Sequence, residues 1–581
     1  MAEKAQQGTT ASSARWHHLP AAPDAYFKQF PEYPRAVAQL LYNRGLTEDA
    51  AISRFLTPSY AGDLHNSRLL GGIDQAVGVI LTAIAATEQI VIHGDYDADG
   101  ITATAVLCET LRLLGARVKT FIPDRYVEGY GVAAQTLERL QREGAGLVIT
   151  VDCGISSGAA IRKARARGLR VIVTDHHQPP AKPPIAEALI NPHLPGDPYP
   201  NKNLTGVGVA FKLSQALLRE SDLPASRQEA AEKWLLDLVA IGTVADVASL
   251  TGENRTLVKY GLLVLSRRRR PGLAALLAVA GIAPERLDAG CIGFAIAPRL
   301  NAAGRLTHAK HALQLLQTTD QGLAAQLARE LNEVNLRRQA VTAEAITQAR
   351  ATLPVIDDDR RVVVSVGNWP SGIVGLVAGR LAGELSRPAF VIEKGETVSK
   401  GSARSIPALN IVDALAATRA HLTTYGGHAG AGGFSLPTAK LADFTAALEA
   451  YCRTHVTPED LRPEVTIEGE LTPSDLDFPL LDHLAEFEPF GIDNPKPQFL
   501  LKDAAVVGHS VVGKNADHLK LQLGLPDGTL TALAFGQAAE VTRLQGVTSI
   551  DLVGTPVANT FNHTKELEWH VTDFRPAGSA A

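Results

Sequence analysis

The chain has 581 residues, of which 45% are hydrophobic and 20% charged, and a net charge of −5. At about 150 residues per domain this length suggests roughly four domains of ordinary soluble composition. No apolar run reaches the ~18 residues that span a bilayer, and the acidic balance excludes a uniformly basic nucleic-acid binder, so any nucleic-acid path must be local.

The N-terminus, MAEKAQQGTTASSARWHHLP, lacks the apolar core of a signal peptide and reads as a polar, partly disordered tail. From about residue 88 to 193, short β-branched runs (Ile90–Ile92, Val118–Ile122, Leu147–Val151, Leu169–Val173) alternate with helical spacing over 101–114, 132–142 and 156–167. That rhythm predicts a parallel sheet covered on both faces. Residues 229–266 read as helical, enclosing Ile241-Gly242-Thr243-Val244-Ala245-Asp246. A long helix follows over 318–353, with Leu323, Leu327, Leu331, Val334, Val341 and Ala345 at three-, four- and seven-residue steps. At about 45 Å, such a helix usually joins domains. The block 354–457 again mixes apolar strands (Val362–Val366, Ala389–Ile392) with helices and carries a glycine-rich segment near 426–433. Beyond about 460 come short strands at 465–471, 498–512, 518–525, 529–535, 550–557 and 567–573, with a hairpin turn at Pro526-Asp527-Gly528. They suggest a small OB-like barrel. Four cysteines, Cys108, Cys153, Cys291 and Cys452, form no CxxC pair and fit a reducing cytoplasm.

The chemistry concentrates where the first strands end. His93-Gly94-Asp95-Tyr96-Asp97-Ala98-Asp99-Gly100 puts three alternating carboxylates behind a buried run. Closely spaced acids there are costly without a cation. A calcium loop of the EF-hand kind would need a Glu six residues past its glycine, where the chain has Val106. Asp95, Asp97 and Asp99 share a face in extended backbone, and His93 could add a nitrogen. Asp152, in Val151-Asp152-Cys153-Gly154, follows another strand; alone it reads equally as a helix cap. In Asp175-His176-His177 the adjacent side chains diverge, so that either one imidazole suits a metal and the other faces substrate, or the two are a satisfied structural pair. Asp246 reads either as a ligand or as a helix cap. Carboxylates and imidazoles without thiolates suit Mn²⁺ or Mg²⁺ better than structural zinc, and a bridging carboxylate would hold two ions for phosphoryl chemistry.

DYDADG, VDCG, TDHH and GTVADV, in this order, resemble the DHH phosphoesterase superfamily. Gly426-Gly427-His428-Ala429-Gly430-Ala431-Gly432-Gly433-Phe434 resembles the GGHxxAxGF motif of its DHHA1 companion domain. Arg299-Leu300-Asn301-Ala302-Ala303-Gly304-Arg305-Leu306, the long helix and the FEPFG segment (Phe487 to Gly491) narrow the similarity to the RecJ family of bacterial single-strand-specific 5′→3′ exodeoxyribonucleases. The resemblance implies His93, Asp95, Asp97, Asp99, Asp152, His176 and Asp246 as ligands of two Mn²⁺ or Mg²⁺ ions, with Asp152 bridging. It implies His177 at the scissile phosphate, and Arg125, Arg305, Ser402 and Arg404 at the 5′-terminal phosphate, where guanidinium forks suit bidentate contact. The glycines around His428 expose N–H groups to a phosphate to which that imidazole can also donate. Arg267–Arg270 either closes a helix or contacts DNA, and Phe535 or Trp569 in the barrel would stack on a single strand or serve as core.

The expected architecture is α/β: an N-terminal segment (1–60), a parallel-sheet DHH domain (61–317), a connecting helix (318–353), an α/β DHHA1 domain (354–457) and an all-β OB-like domain (458–581). The expected activity is hydrolysis of single-stranded DNA from the 5′ end in repair and recombination. The resemblance further implies a cytoplasmic monomer without membrane attachment, with single-strand-binding protein and a helicase as partners. The rivals are a DHH phosphodiesterase of short oligonucleotides or cyclic dinucleotides, which needs no extended track, and a non-catalytic replication scaffold, which would lack the metal-binding side chains.

Overall fold

The structure, a computed structural model, describes residues 14–125, 127–129, 131–354, 356–357, 359–526, 528–561 and 564–579. The chain divides into two units, one formed by 48–338 with 486–496, the other by the residues up to 47, 339–485 and those from 497 onward. A first strand, β1 (Arg15–His18), belongs to the second unit.

In the unit 48–338 the strands β2 (Gln89–His93), β3 (Arg117–Phe121), β4 (Ala145–Val151), β5 (Arg170–Thr174) and β6 (Ala188–Ile190) form one all-parallel sheet in the order β3-β2-β4-β5-β6. Alternation along the strands sends side chains to two cores. Ile90, Ile92, Leu147, Ile149 and Ile172 pack with the helices Ile73–Ala85, Ala98–Leu113 and Gly206–Arg219. Val91, Val148, Val171 and Val173 pack instead with Leu137, Leu140 and Ile161 from the helices Ala134–Arg142 and Gly158–Arg165. Both faces being covered explains why the strands read as unbroken apolar runs. Each such buried branched side chain stabilises by about 1.5–3 kcal/mol. The three residues of β6 are too brief to register in the sequence.

The stretch expected to be helical over 229–266 is three helices: Ala225–Trp234, Leu236–Ala245 and Gly252–Ser266. The chain leaves the helix after Asp246, where Val247 takes a left-handed φ of 58° and Leu250 N donates to Ile492 O at 2.9 Å. The FEPFG segment has a structural partner in the same unit. Buried Arg255 donates to the carbonyls of Glu486, Phe487 and Glu488 at 2.8–2.9 Å and to Phe55 O at 2.8 Å. The long helix runs Gln321–Thr352, 32 residues, or about 48 Å. It starts where Asp320 Oδ1 accepts from Leu323 N at 2.6 Å.

The other unit holds a mixed sheet of β7 (Val363–Gly367), β8 (Ala389–Glu393), β9 (Val398–Arg404), β10 (Thr424–His428) and β11 (Ala431–Pro437), in the order β10-β11-β9-β8-β7. The glycine-rich segment is therefore an antiparallel hairpin. Gly427 has a φ of +146°, and a Cβ there would lie 2.3 Å from Ala431 O.

Next, β12 (Glu464–Ile467) pairs in parallel with β1. Trp16 is buried, donates from Nε1 to Asp573 Oδ2 at 2.8 Å and lies under the Arg575 guanidinium. Residues 15–18 are thus an ordered strand and not part of a polar tail; residues 1–13 lie outside the described residues. The strands β13 (Gly469–Leu471), β14 (Phe499–Val512), β15 (His518–Leu525), β16 (Gly528–Ala534), β17 (Ser549–Phe561) and β18 (Thr564–Pro576) follow. Pairing of β14 with β15 and β17, and of β18 with β16 and β17, closes a five-stranded barrel, the architecture of an OB-fold. Asp527 of the expected turn lies outside the described residues, while Leu525 and Gly528 pair as a hairpin requires. Trp569 is wholly buried in the barrel core and cannot stack on a strand; Phe535 is 52% exposed.

Candidate metal centre

The carboxyl ends of the parallel strands carry the expected residues. After β2 the chain turns through Asp95 to Asp97, whose side chain caps the helix Ala98–Leu113 by accepting from Gly100 N at 3.1 Å. The helix Ala297–Leu306 backs this turn: Asn301 Oδ1 accepts from Ala98 N at 2.7 Å, and a Cβ on Gly304 would lie 2.6 Å from Tyr96 O. Asp99, 1% exposed, accepts from Gly206 N and Val207 N at 2.6 and 2.9 Å. After β4, Asp152 adopts a left-handed φ of 59°, a strained conformation of the kind that gathers at functional sites. Asp175 follows β5. Its Oδ1 accepts from His176 N and His177 N and meets His177 Nδ1 at 2.8 Å, while its Oδ2 accepts from Ile155 N at 2.9 Å. Asp246 caps the C-terminal end of the helix Leu236–Ala245, so its cap position and its place in the cluster coincide.

Three overlapping groups result: Asp152, His176 and His177; Asp99, His176 and Asp246; Asp95, Asp97 and Asp152. In each, ligand atoms lie within 4.8 Å of one another. His176 Nε2 is 3.1 Å from Asp152 Oδ1 and 3.8 Å from both Asp99 Oδ2 and Asp246 Oδ2. Burial, then the charge of Asp97, pushes Asp99 up to about 7. Burial, then Asp99 and Asp97, pushes Asp246 to about 8. Asp152 and Asp95 are likewise raised well above the usual range by burial and then by neighbouring carboxylates. Burial alone would lower His177, but the hydrogen bond and charge of Asp175 override it and lift the imidazole to about 9. Because an ionised carboxylate only accepts, His177 Nδ1 is the donor to Asp175.

The donor set fits divalent cations. Asp95 Oδ1 and Asp152 Oδ1 are buried without a hydrogen-bond donor, every donor atom is oxygen or imidazole nitrogen, and repelling buried acids need a cation to ionise together. Cys153 turns away, with Sγ 3.7 Å from His93 Nδ1. His93 is in none of the three groups; burial holds it down to about 4.

Of the expected phosphate-binding residues, Arg125 lies over Tyr96 at 4.7 Å, beside the cluster, and half-buried Arg305 is on the Ala297–Leu306 helix. Ser402, Arg404 and His428 are in the other unit. The register pairs Arg404 with Ala431 and Ala431 with His428, which sets the arginine and histidine in one row. Arg404 Nη1 donates to Ser402 Oγ at 3.1 Å and Ala403 O at 2.8 Å. Among the described residues no carboxylate pairs with that largely buried guanidinium. Sequence reasoning gives no role to Asp175, Asn301 or Gly304; the DHH and RLNAAGRL runs are their only trace. At the end of the Arg267–Arg270 tetrad, Arg270 is tied to Asp237 and Glu109.

A parallel α/β sheet whose carboxyl edge collects acids and imidazoles in cation-binding groups is the framework of a metal-dependent phosphoesterase. Residues 89–243 match the DHH family N-terminal domain, 359–454 the DHHA1 domain and 467–573 the RecJ OB domain. The single-stranded-DNA-specific exonuclease RecJ of Escherichia coli (strain K12) is 34% identical over 573 residues, covering 94% of this chain and 96% of that protein. Its counterpart in Bacillus subtilis (strain 168) is 35% identical over 543 residues, covering 92% of this chain and 67% of that protein. The crystal structure of RecJ in complex with Mn²⁺ from Thermus thermophilus superposes with a TM-score of 0.83 at 33% identity, covering 97% of this chain and 80% of that one. The Mg²⁺ complex from the same organism gives 0.77 at 31% identity, covering 97% and 79%. The chain belongs to the RecJ family.

Proposed function

We infer that this protein is a divalent-metal-dependent exonuclease that removes nucleotides from the 5′ end of single-stranded DNA, in repair and recombination. The observation that carries the reading is the convergence of Asp95, Asp97, Asp99, Asp152, His176 and Asp246, with His177, into three overlapping ligand groups. Asp95, Asp97, Asp99, Asp152, His176 and Asp246 would hold two Mn²⁺ or Mg²⁺ ions, with Asp152, the one carboxylate present in two groups, as the bridge. His93, buried and neutral, retains the nitrogen that a further ligand requires. When bound, such a pair lowers the pKa of water and offsets charge on the phosphoryl group in flight.

The protein's own groups do the rest. Asp175 fixes the ring of His177, which donates from Nε2 to the scissile phosphate. The backbone N–H groups of Gly206 and Val207 hold Asp99 in place. Within the other unit, Ser402, Arg404 and His428 offer the forked and single donors that a 5′-terminal phosphate takes, and beside the cluster Arg125 and Arg305 offer guanidiniums suited to phosphate oxygens. The five-stranded barrel supports an extended strand as substrate over a short or cyclic oligonucleotide, and the intact set of acids and imidazoles speaks against a non-catalytic scaffold.

The domain limits of 61–317, 354–457 and 458–581 are the working division. Among the described residues no helix is long and apolar enough to cross a membrane, and all four cysteines are free thiols, which suits the cytoplasm. Single-strand-binding protein and a helicase are the partners, and a monomer the form, that the reading implies. Its test is a Mn²⁺-dependent digestion of long strands blocked at one end. A 3′-blocked strand should be degraded and a 5′-blocked strand spared. Equal loss of both, or loss from the 3′ end, overturns the polarity, and preference for a dinucleotide over a long strand overturns the substrate.

A further inference from the structure

At the ends of the helices Ala98–Leu113 and Leu236–Ala245 remote from the metal centre, the unit 48–338 contains a cavity of about 310 Å³. Its wall carries three arginines and two acids, but the charges do not cancel evenly. Arg270 Nε donates to both oxygens of Asp237 at 3.0 and 2.8 Å, and its Nη1 donates to Glu109 at 2.5 Å. Both acids are thereby spoken for. Arg112 and Arg269, which also line the cavity, have no carboxylate partner among the described residues. Arg269 instead lies over the indole of Trp234, 4.3 Å from its centroid. Gln317 lines the wall with its amide Nε2 buried towards the Cys108 thiol, and Thr318 and Thr319 add hydroxyls.

We propose that this cavity is a second nucleotide site, which takes a nucleoside 5′-monophosphate. Two unneutralised guanidiniums suit a phosphate dianion. The Arg269–Trp234 pair provides a flat cationic and aromatic wall on which a nucleobase stacks, and the Thr318 and Thr319 hydroxyls can donate to an oxygen of either part. The volume lies at the lower end of ligand pockets, about 300–1,000 Å³, which suits one mononucleotide. The position also has a consequence for the metal centre. Arg270 ties Glu109 to Asp237, and the helices that bear these two acids carry Asp97 and Asp99, and Asp246, at their opposite ends. A ligand held by Arg112 and Arg269 bears on that joint, so mononucleotide binding would feed back on hydrolysis. The feedback rests on the exonuclease reading, whose product is a mononucleotide; the binding does not.

The test titrates dAMP into the full chain in EDTA, followed by equilibrium dialysis and tryptophan fluorescence, with Arg269→Ala and Arg112→Gln alongside. One saturable site is expected, with fluorescence change, weakened at least tenfold in each variant and at least tenfold for adenosine, which lacks the phosphate. With Mn²⁺ restored, both variants should digest a single strand as the parent does, but lose its sensitivity to added dAMP. Absence of binding, or unchanged affinity in both folded variants, overturns the proposal. It also falls if the variants leave dAMP binding intact and raise the KM for a long strand, since the cavity would then serve the polymer. Binding of dAMP through Arg269 by a chain that digests no DNA would leave the site standing and sink the exonuclease reading.

Discussion

Gly206 offers a sharp test of how closely the metal centre is built. It begins the helix Gly206–Arg219 and donates its N–H to Asp99. A Cβ added there would lie 2.4 Å from Asp152 Cβ and 2.6 Å from its Cγ and Oδ1. Carbon atoms rest at about 3.5–4.0 Å, so Gly206→Ala must displace the Asp152 carboxylate, or the backbone that holds Asp99, by about 1 Å. Overpacking of this kind costs about 1–3 kcal/mol of stability, and a displacement of about 1 Å at a reacting centre costs on the order of 10²-fold in rate. Gly78→Ala is the control: Gly78 is also helical, and nothing lies within 4 Å of its Cβ position. That substitution should stabilise by up to about 1 kcal/mol through helix propensity and leave the rate alone. Single-strand digestion at saturating Mn²⁺, with thermal melts of both variants, reads the comparison. A Gly206→Ala protein with parental rate and Mn²⁺ affinity would show that Asp152 does not stand against this helix in the working enzyme.

Other outcomes follow from the same geometry. With Asp99 raised to about 7 and Asp246 to about 8, the ion-free folded state holds protons that the unfolded state releases near pH 4; stability of the EDTA-treated protein should therefore fall as pH rises from about 4 through 8. Mn²⁺ should raise Tm more at about pH 8 than at about pH 5.5, and a pH-independent gain would refute the coupling. Arg404→Ala should raise KM for a 5′-phosphorylated strand by roughly 10- to 100-fold, since hydrogen bonds to charged groups are worth about 1.5–3 kcal/mol, with little effect on a 5′-hydroxyl strand; equal effects on both would remove it from the phosphate. Trp569→Ala should destabilise by about 3–5 kcal/mol as a core cavity, whereas Phe535→Ala should leave the melt unchanged and weaken binding of long strands. The reverse assignment would invert barrel core and surface.

What is legible in the sequence is what local pattern dictates. Ile90–Ile92, Leu147–Val151 and their neighbours read as strands because both faces are covered, and the acids read as a site because they fall at strand ends. Asp246 stays ambiguous because a capping position and a ligand position are here the same place. Asp175 is hidden behind the two histidines that follow it, since its role is to hold the His177 ring and the backbone N–H groups of both by short hydrogen bonds. Asn301 and Gly304 act across some 200 residues of chain, on Ala98 and Tyr96, which no spacing announces. Residues 15–18 look like a tail because the partner of β1 lies 449 residues away. Trp569 points inward from the middle of β18, whereas Phe535 falls one residue past the end of β16, in the turn that leaves the barrel, and a one-residue difference in a strand's end is not visible in the sequence.

The most direct test is anomalous diffraction at the manganese edge from crystals soaked in Mn²⁺. Two peaks are predicted among Asp95, Asp97, Asp99, Asp152, His176 and Asp246, with Asp152 contacting both. Peaks elsewhere on the surface, or none among these side chains, would contradict the account.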